Sequence, residues 1–134
     1  MTDTLHLEIV SPERLLKDAE VAMVVVPGTD GDFGAMAAHA PMMSTIRPGI
    51  IEIYETESGE PEKLFVKSGL AQISATGLTI LAEDMIELDS VDATELAAGI
   101  EQAQEDLNAA SGDTERELAE AELEWRTVLS GIVS

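Results

Sequence analysis

Residues 64–107 read LFVKSGLAQISATGLTILAEDMIELDSVDATELAAGIEQAQEDL, and the character of the chain changes inside this stretch. Leu64 to Lys67, Ala71 to Ala75 and Leu78 to Ala82 are short apolar runs separated by Ser68-Gly69 and Thr76-Gly77. Runs of this length with glycine at the breaks predict strands joined by tight turns. Met85 to Leu88 predicts a last one. From Asp92 to Ser134 there is no proline, and Ala, Glu and Leu dominate. Leu96, Ile100, Ala103, Leu107 and Ala110 recur at steps of four and three, the apolar stripe of a helix, and Leu118, Ala121, Trp125, Val128 and Ile132 predict a second stripe. Asp92, three residues before Glu95, predicts the cap of the first helix; Thr114 and Glu117 repeat that spacing at the second. Ser111-Gly112-Asp113 predicts the turn between them. The expected architecture is a strand-rich domain over residues 1–90 and an antiparallel helical hairpin over 91–134. The hairpin's stripes are small against the entropy of ordering it, so it should lean on the strands or on a partner.

Towards the N-terminus, Leu5, Leu7 and Ile9 alternate with His6 and Glu8, which predicts a half-buried strand ended by Ser11-Pro12-Glu13. Val21 to Val26 is continuous and Val-rich, which suits a strand covered on both faces. Pro27-Gly28 closes it, and the glycines through Gly34 predict a loop or tight hairpin. Ile50 to Tyr54 predicts another strand, followed by the polar turn Glu57 to Pro61. Many short strands at near-even spacing point to a sandwich or barrel. Phe33, Phe65, Tyr54 and Trp125 are all the aromatics, so the core must be aliphatic.

With 27 acidic and 7 basic residues the formal charge is −20, a balance that repels nucleic-acid phosphates and anionic head groups. The absence of Cys excludes disulfides, thiolate catalysis and Cys-ligated metals. The opening residues do not resemble a signal peptide, and the longest clean apolar run falls far short of the roughly 20 residues of a membrane span. The expectation is a soluble chain, cytoplasmic unless a partner carries it to a membrane.

An enzyme reading finds no support. His6 and His39 are the only histidines and do not stand at a metal-ligand spacing from each other, so each is expected in a core or an interface, and no metal is expected. Gly28, Gly31 and Gly34 space out as a glycine-rich loop, but no Lys-Ser/Thr follows, and a phosphate cradle would not hold Asp30 and Asp32. Asp30-Gly31-Asp32 has the wrong order for a calcium loop and reads as a tight acidic turn.

Three stretches carry a resemblance. Gly31-Asp32-Phe33-Gly34, then His39-Ala40-Pro41-Met42-Met43, then Ile46-Arg47-Pro48-Gly49-Ile50-Ile51 resembles the GEFG…GHAPLL…LKPG run of the bacterial F-type ATP synthase epsilon family. Phe65-Val66-Lys67-Ser68-Gly69 leading to Leu78-Thr79-Ile80-Leu81-Ala82-Glu83 is similar to the family's FVSGG…VTILAD segment, and Leu5 to Glu13 to its hxhxIVSPE opening, where h is apolar. The helical half matches in length and pattern alone. Ala38 and Leu70 stand where the family has glycine.

The resemblance implies a ten-stranded β-sandwich with a C-terminal helix-turn-helix, acting as a non-catalytic rotor subunit that binds gamma and the membrane c-ring and transmits torque. It implies a peripheral position on the cytoplasmic face of the inner membrane, with neither nucleic-acid binding nor direct lipid insertion. Carried over by residue, Asp30, Gly31, Asp32, Phe33 and Gly34 would meet the c-ring, where Asp32 can pair with a basic or amide group of a ring loop. His39, Ala40, Pro41, Met42 and Met43 would lie near gamma. The hairpin of some members grips the beta subunits through basic residues and brakes ATP hydrolysis; here residues 92–134 carry eleven acids and two arginines, so a weak brake is expected. Nucleotide-binding members carry an I/L-D-x-x-R-A pattern. Here Leu88-Asp89-Ser90-Val91-Asp92-Ala93 puts Asp92 in place of the arginine, so nucleotide binding is not expected and no cofactor is implied. The competing class is a free-standing acidic adaptor or chaperone-like module of the same architecture, its hairpin clasping a basic client.

Overall fold

The computed structural model describes residues 4–36, 41–75, 77–83 and 85–133. The chain divides into two compact units, Met1–Glu87 and Leu88–Ser134.

The first unit is one continuous ladder. Its strands are β1 (Leu5–Val10), β2 (Leu15–Val21), β3 (Met23–Gly28), β4 (Gly31–Met36), β5 (Met42–Ile46), β6 (Gly49–Tyr54), β7 (Glu62–Val66), β8 (Gly69–Ser74), β9 (Gly77–Ala82) and β10 (Met85–Glu87). They hydrogen-bond in the order β10-β7-β6-β3-β5-β8-β9-β1-β2, and β4 pairs with β3 beside this path. Every pairing is antiparallel except β1 with β9. The ladder turns at β3, which meets β5 at the single pair Gly28↔Ile46. It curls around one aliphatic core: Leu5, Leu7 and Ile9 of β1 and Ile73, Leu78 and Ile80 of β8 and β9 share a cluster with Val24, Val26, Ile51, Ile53 and Val66. Lys17 of β2, the last strand of the path, reaches Glu62 of β7, the second, at 2.8 Å. Among the described residues no polar or charged side chain is buried, so nothing charged has to be compensated inside.

The sequence pattern assigns no strand to β5 (Met42–Ile46), and two other differences from the expected strands have plain causes. Val21–Val26 is not one strand covered on both faces: Ala22 bends the chain between β2 and β3, and along β3 Val24 and Val26 are buried while Met23 and Val25 are half-exposed. Both outward residues are apolar, which hid the alternation. The second is β2 itself, to which the sequence pattern assigns no strand. It is an edge strand, and edges tolerate the charges of Lys17, Asp18 and Glu20 that blur its period.

The second unit opens with a 3-10 turn (Leu88–Ser90) and holds α1 (Ala93–Ala109) and α2 (Asp113–Val133). Asp92 caps α1, its carboxylate accepting from the N–H groups of Thr94 and Glu95 at 2.8 and 3.1 Å. At α2 the expected Thr114–Glu117 cap is not used. The helix starts at Asp113, two residues before the start a Thr114 cap would set, with the Arg116 N–H on the Gly112 carbonyl, and Glu115 reaches back to the N–H of Ser111 at 3.2 Å. The buried stripe of α2 is also displaced by one position. Ala119 and Leu129 are its buried residues, whereas Leu118 and Ile132 are exposed. Arg126 explains the shift. It is three-quarters covered, lies 4.4 Å from the Trp125 ring centroid and pairs with Glu122, so its stem occupies a place that a hydrophobicity count leaves blank.

Candidate functional site: the β3–β4 turn and β5

The chain turns from β3 into β4 through Thr29 and Asp30, with Gly28 opposite Gly31. Gly31 has φ +133°, a conformation that side chains with a Cβ rarely adopt, and nothing lies within 4 Å of where its Cβ would stand. A glycine is required here by the backbone and leaves the turn open to an approaching surface.

The turn is fastened to β5. Thr29 donates its N–H to the Thr45 carbonyl at 2.9 Å and its hydroxyl to the same oxygen at 2.7 Å. Arg47, at the corner between β5 and β6, donates its N–H to the Pro27 carbonyl at 2.9 Å, and its guanidinium pairs with Asp32. Two short segments, distant in sequence, are thereby held as one rigid edge. Between them lies an open groove of about 600 Å³, lined by residues that include Asp30, Asp32, Phe33, Met42, Met43 and Leu70.

Met36, Met42 and Met43 are exposed by 49%, 38% and 61%. Flexible, polarizable side chains left in water beside two carboxylates are unusual for a surface that meets only solvent.

Of the residues singled out from the sequence, Asp30, Gly31, Asp32 and Phe33 from the first set and Met42 and Met43 from the second meet at this one groove. Gly34 and Pro41 are exposed nearby in the chain but do not line it, and His39 and Ala40 lie outside the described residues. Asp32 is paired with Arg47 of its own chain through one carboxylate oxygen and stays largely exposed. Sequence reasoning quoted Arg47 only as part of a motif, and nothing in the one-dimensional pattern marks a partner fifteen residues away. Leu70, noted as a departure, supplies a half-buried side chain to the groove where a glycine would leave a gap. The second candidate position, Asp92, is engaged by the N–H groups of Thr94 and Glu95 at the start of α1.

Residues 4–88 match the family model described as ATP synthase, Delta/Epsilon chain, beta-sandwich domain. Curated relatives named ATP synthase epsilon chain include those of Parvibaculum lavamentivorans, 47% identical over 119 residues with 89% of each chain covered, and Mesorhizobium japonicum, 41% identical over 133 residues with 99% of this chain and 98% of the relative covered. Among solved structures, a chain of the Euglena gracilis mitochondrial ATP synthase OSCP/F1/c-ring assembly superposes with a TM-score of 0.83 at 21% identity, covering 98% of this chain and 82% of that one. A chain of the Tetrahymena thermophila mitochondrial ATP synthase central stalk and c-ring gives 0.75 at 9% identity, covering 99% and 98%.

Proposed function

The chain belongs to the ATP synthase epsilon-chain family, and on that premise we propose that it is the non-catalytic central-stalk subunit of a proton-translocating F-type synthase, coupling c-ring rotation to gamma and the catalytic head. The observation that carries this reading is the 41% identity that runs through 133 residues, across strands and helices alike. A free-standing adaptor of the same architecture has no comparable support.

The groove between the β3–β4 turn and β5 is the attachment surface in this proposal. Asp30 to Phe33 face the c-ring loops, and Met42 and Met43 pack on gamma, with the methionines supplying apolar contact and the fastened turn supplying rigidity. Because Arg47 neutralises Asp32, Asp30 offers the fuller negative charge to a basic or amide group on the ring. The chain is peripheral to the membrane through its complex; no helix among the described residues is long and apolar enough to cross one.

The hairpin is a weak brake. Eleven acids against two arginines from Asp92 onward give it a formal charge of −9, and each close like-charged pair with an acidic loop of the beta subunits, the surface that basic hairpins grip, costs up to about 4 kcal/mol at an effective dielectric near 20. Nucleotide is not bound at Leu88 to Ala93, because Asp92 caps a helix and adds charge of the wrong sign.

Affinity purification of the tagged chain from its native membranes tests the assignment. Alpha, beta, gamma and c subunits are expected at the stoichiometry of one complex; a chain recovered alone overturns it.

A further inference from the structure

One cluster on β1 and β2 has no part in the attachment surface. His6 and Glu8 are successive outward residues of β1, and β2 sets Glu20 opposite His6 and Asp18 opposite Glu8. The side chains converge. His6 Nε2 lies 3.0 Å from Asp18 Oδ1 and 3.3 Å from Glu8 Oε1, and Nδ1 lies 2.5 Å from Glu20 Oε2. The other oxygen of Glu20 accepts the Thr4 hydroxyl at 3.2 Å.

Carboxylates directly opposite one another on an antiparallel pair repel, and β9, on the other side of β1, sets uncharged Gly77 and Thr79 opposite His6 and Glu8. The cluster therefore carries three acids around one imidazole. A cation centred among them relieves the repulsion, and the donor set specifies its kind. One imidazole nitrogen and two carboxylate oxygens suit zinc-class ions, whereas magnesium and calcium take oxygen alone.

We propose that His6, Glu8 and Asp18 form a divalent transition-metal site on the outer face of the β1–β2 ribbon, with Glu20 fixing the imidazole. The three ligand atoms lie within 4.8 Å of one another. Two ligands of a tetrahedral zinc ion stand roughly 3.4 Å apart at bond lengths near 2.0–2.1 Å, so His6 Nε2 already sits close to the required separations from both carboxylates. The Nδ1–H then donates to Glu20, the outer carboxylate that ligating histidines use to hold tautomer and ring orientation. Water completes the coordination, since His6, Glu8 and Asp18 are each about half exposed. The ion ties the edge strand β2 to β1. This site does not depend on the stalk assignment.

The test is isothermal titration of metal-free full-length protein with zinc chloride, alongside His6→Ala and the near-isosteric pair Glu8→Gln with Asp18→Asn. One zinc per chain is expected, with at least tenfold weaker binding in both variants and no displacement by equimolar magnesium. In imidazole 15N spectra zinc is expected to shift His6 Nε2. Circular dichroism checks the fold, and should His6→Ala unfold, the paired variant still decides. Absence of stoichiometric binding, or binding of equal strength in the paired variant, overturns the site and marks the zinc as held by the general acidic surface.

Discussion

Asp32 on β4 accepts a hydrogen bond from the guanidinium of Arg47, fifteen residues further on at the corner between β5 and β6. The pair locks the β3–β4 turn to the strand that carries the exposed methionines. Both side chains are substantially exposed, at 61% and 40%, and exposed ion pairs contribute about 0–1 kcal/mol. Asp32→Ala is therefore expected to lower unfolding free energy in urea by no more than about 1 kcal/mol. A loss several times larger would show that the pair holds the fold and not merely the shape of the groove.

Gly77 opens β9 where it runs parallel to β1, and a Cβ there would stand 2.3 Å from the His6 carbonyl oxygen. The obstacle is backbone within a ladder, so relief requires separating two strands. Gly77→Ala should cost about 1–3 kcal/mol, the usual range for forced overpacking. An unchanged urea midpoint would mean that β1 and β9 are not so closely paired.

The hairpin can be tested by removal. All residues of the aliphatic cluster lie at or before Ala82, so a chain ending at Ser90 should stay folded. ATPase activity of the complex is expected to be nearly the same with the full chain and with the shortened one. A several-fold rise on deletion would show that the hairpin brakes despite its charge.

In metal-free protein His6 should titrate above 6.5, chiefly because Glu20 accepts a hydrogen bond from its imidazolium, with Asp18 and Glu8 adding to the effect against partial desolvation. A folded-state value above the unfolded one stabilises the fold fully below about pH 6.5, and the contribution disappears as the pH rises through the folded value. NMR titration of the His6 ring, with chelator present, reads this directly; a midpoint at or below 6.5 would contradict the cross-strand geometry.

Much of this architecture can be read from residue patterns. Leu5, Leu7 and Ile9 announce β1, the glycine-punctuated runs after Leu64 announce β7 to β9, and Asp92 marks the start of α1. Patterns failed where one residue plays two roles. Arg126 packs like an apolar side chain and shifted the stripe of α2, and the charges of β2 hid an edge strand. The site was half legible: the glycines and methionines stand in recognisable runs, but Arg47 meets Asp32 only through the fold. His6 was judged by its distance along the chain from the other histidine, although its partners face it across a strand pair. Alternating His6 and Glu8, followed by alternating Asp18 and Glu20, was the available signal.

The most direct measurement is ATP-driven proton pumping by membrane vesicles stripped of this chain and then given it back. Met43, exposed by 61%, is the more exposed of the two methionines that line the groove. Wild-type protein is expected to restore pumping, whereas Met43→Asp, folded by circular dichroism, should need at least tenfold more protein for the same effect. Full restoration by the variant at wild-type concentrations, or none by the wild type, would contradict attachment through this groove.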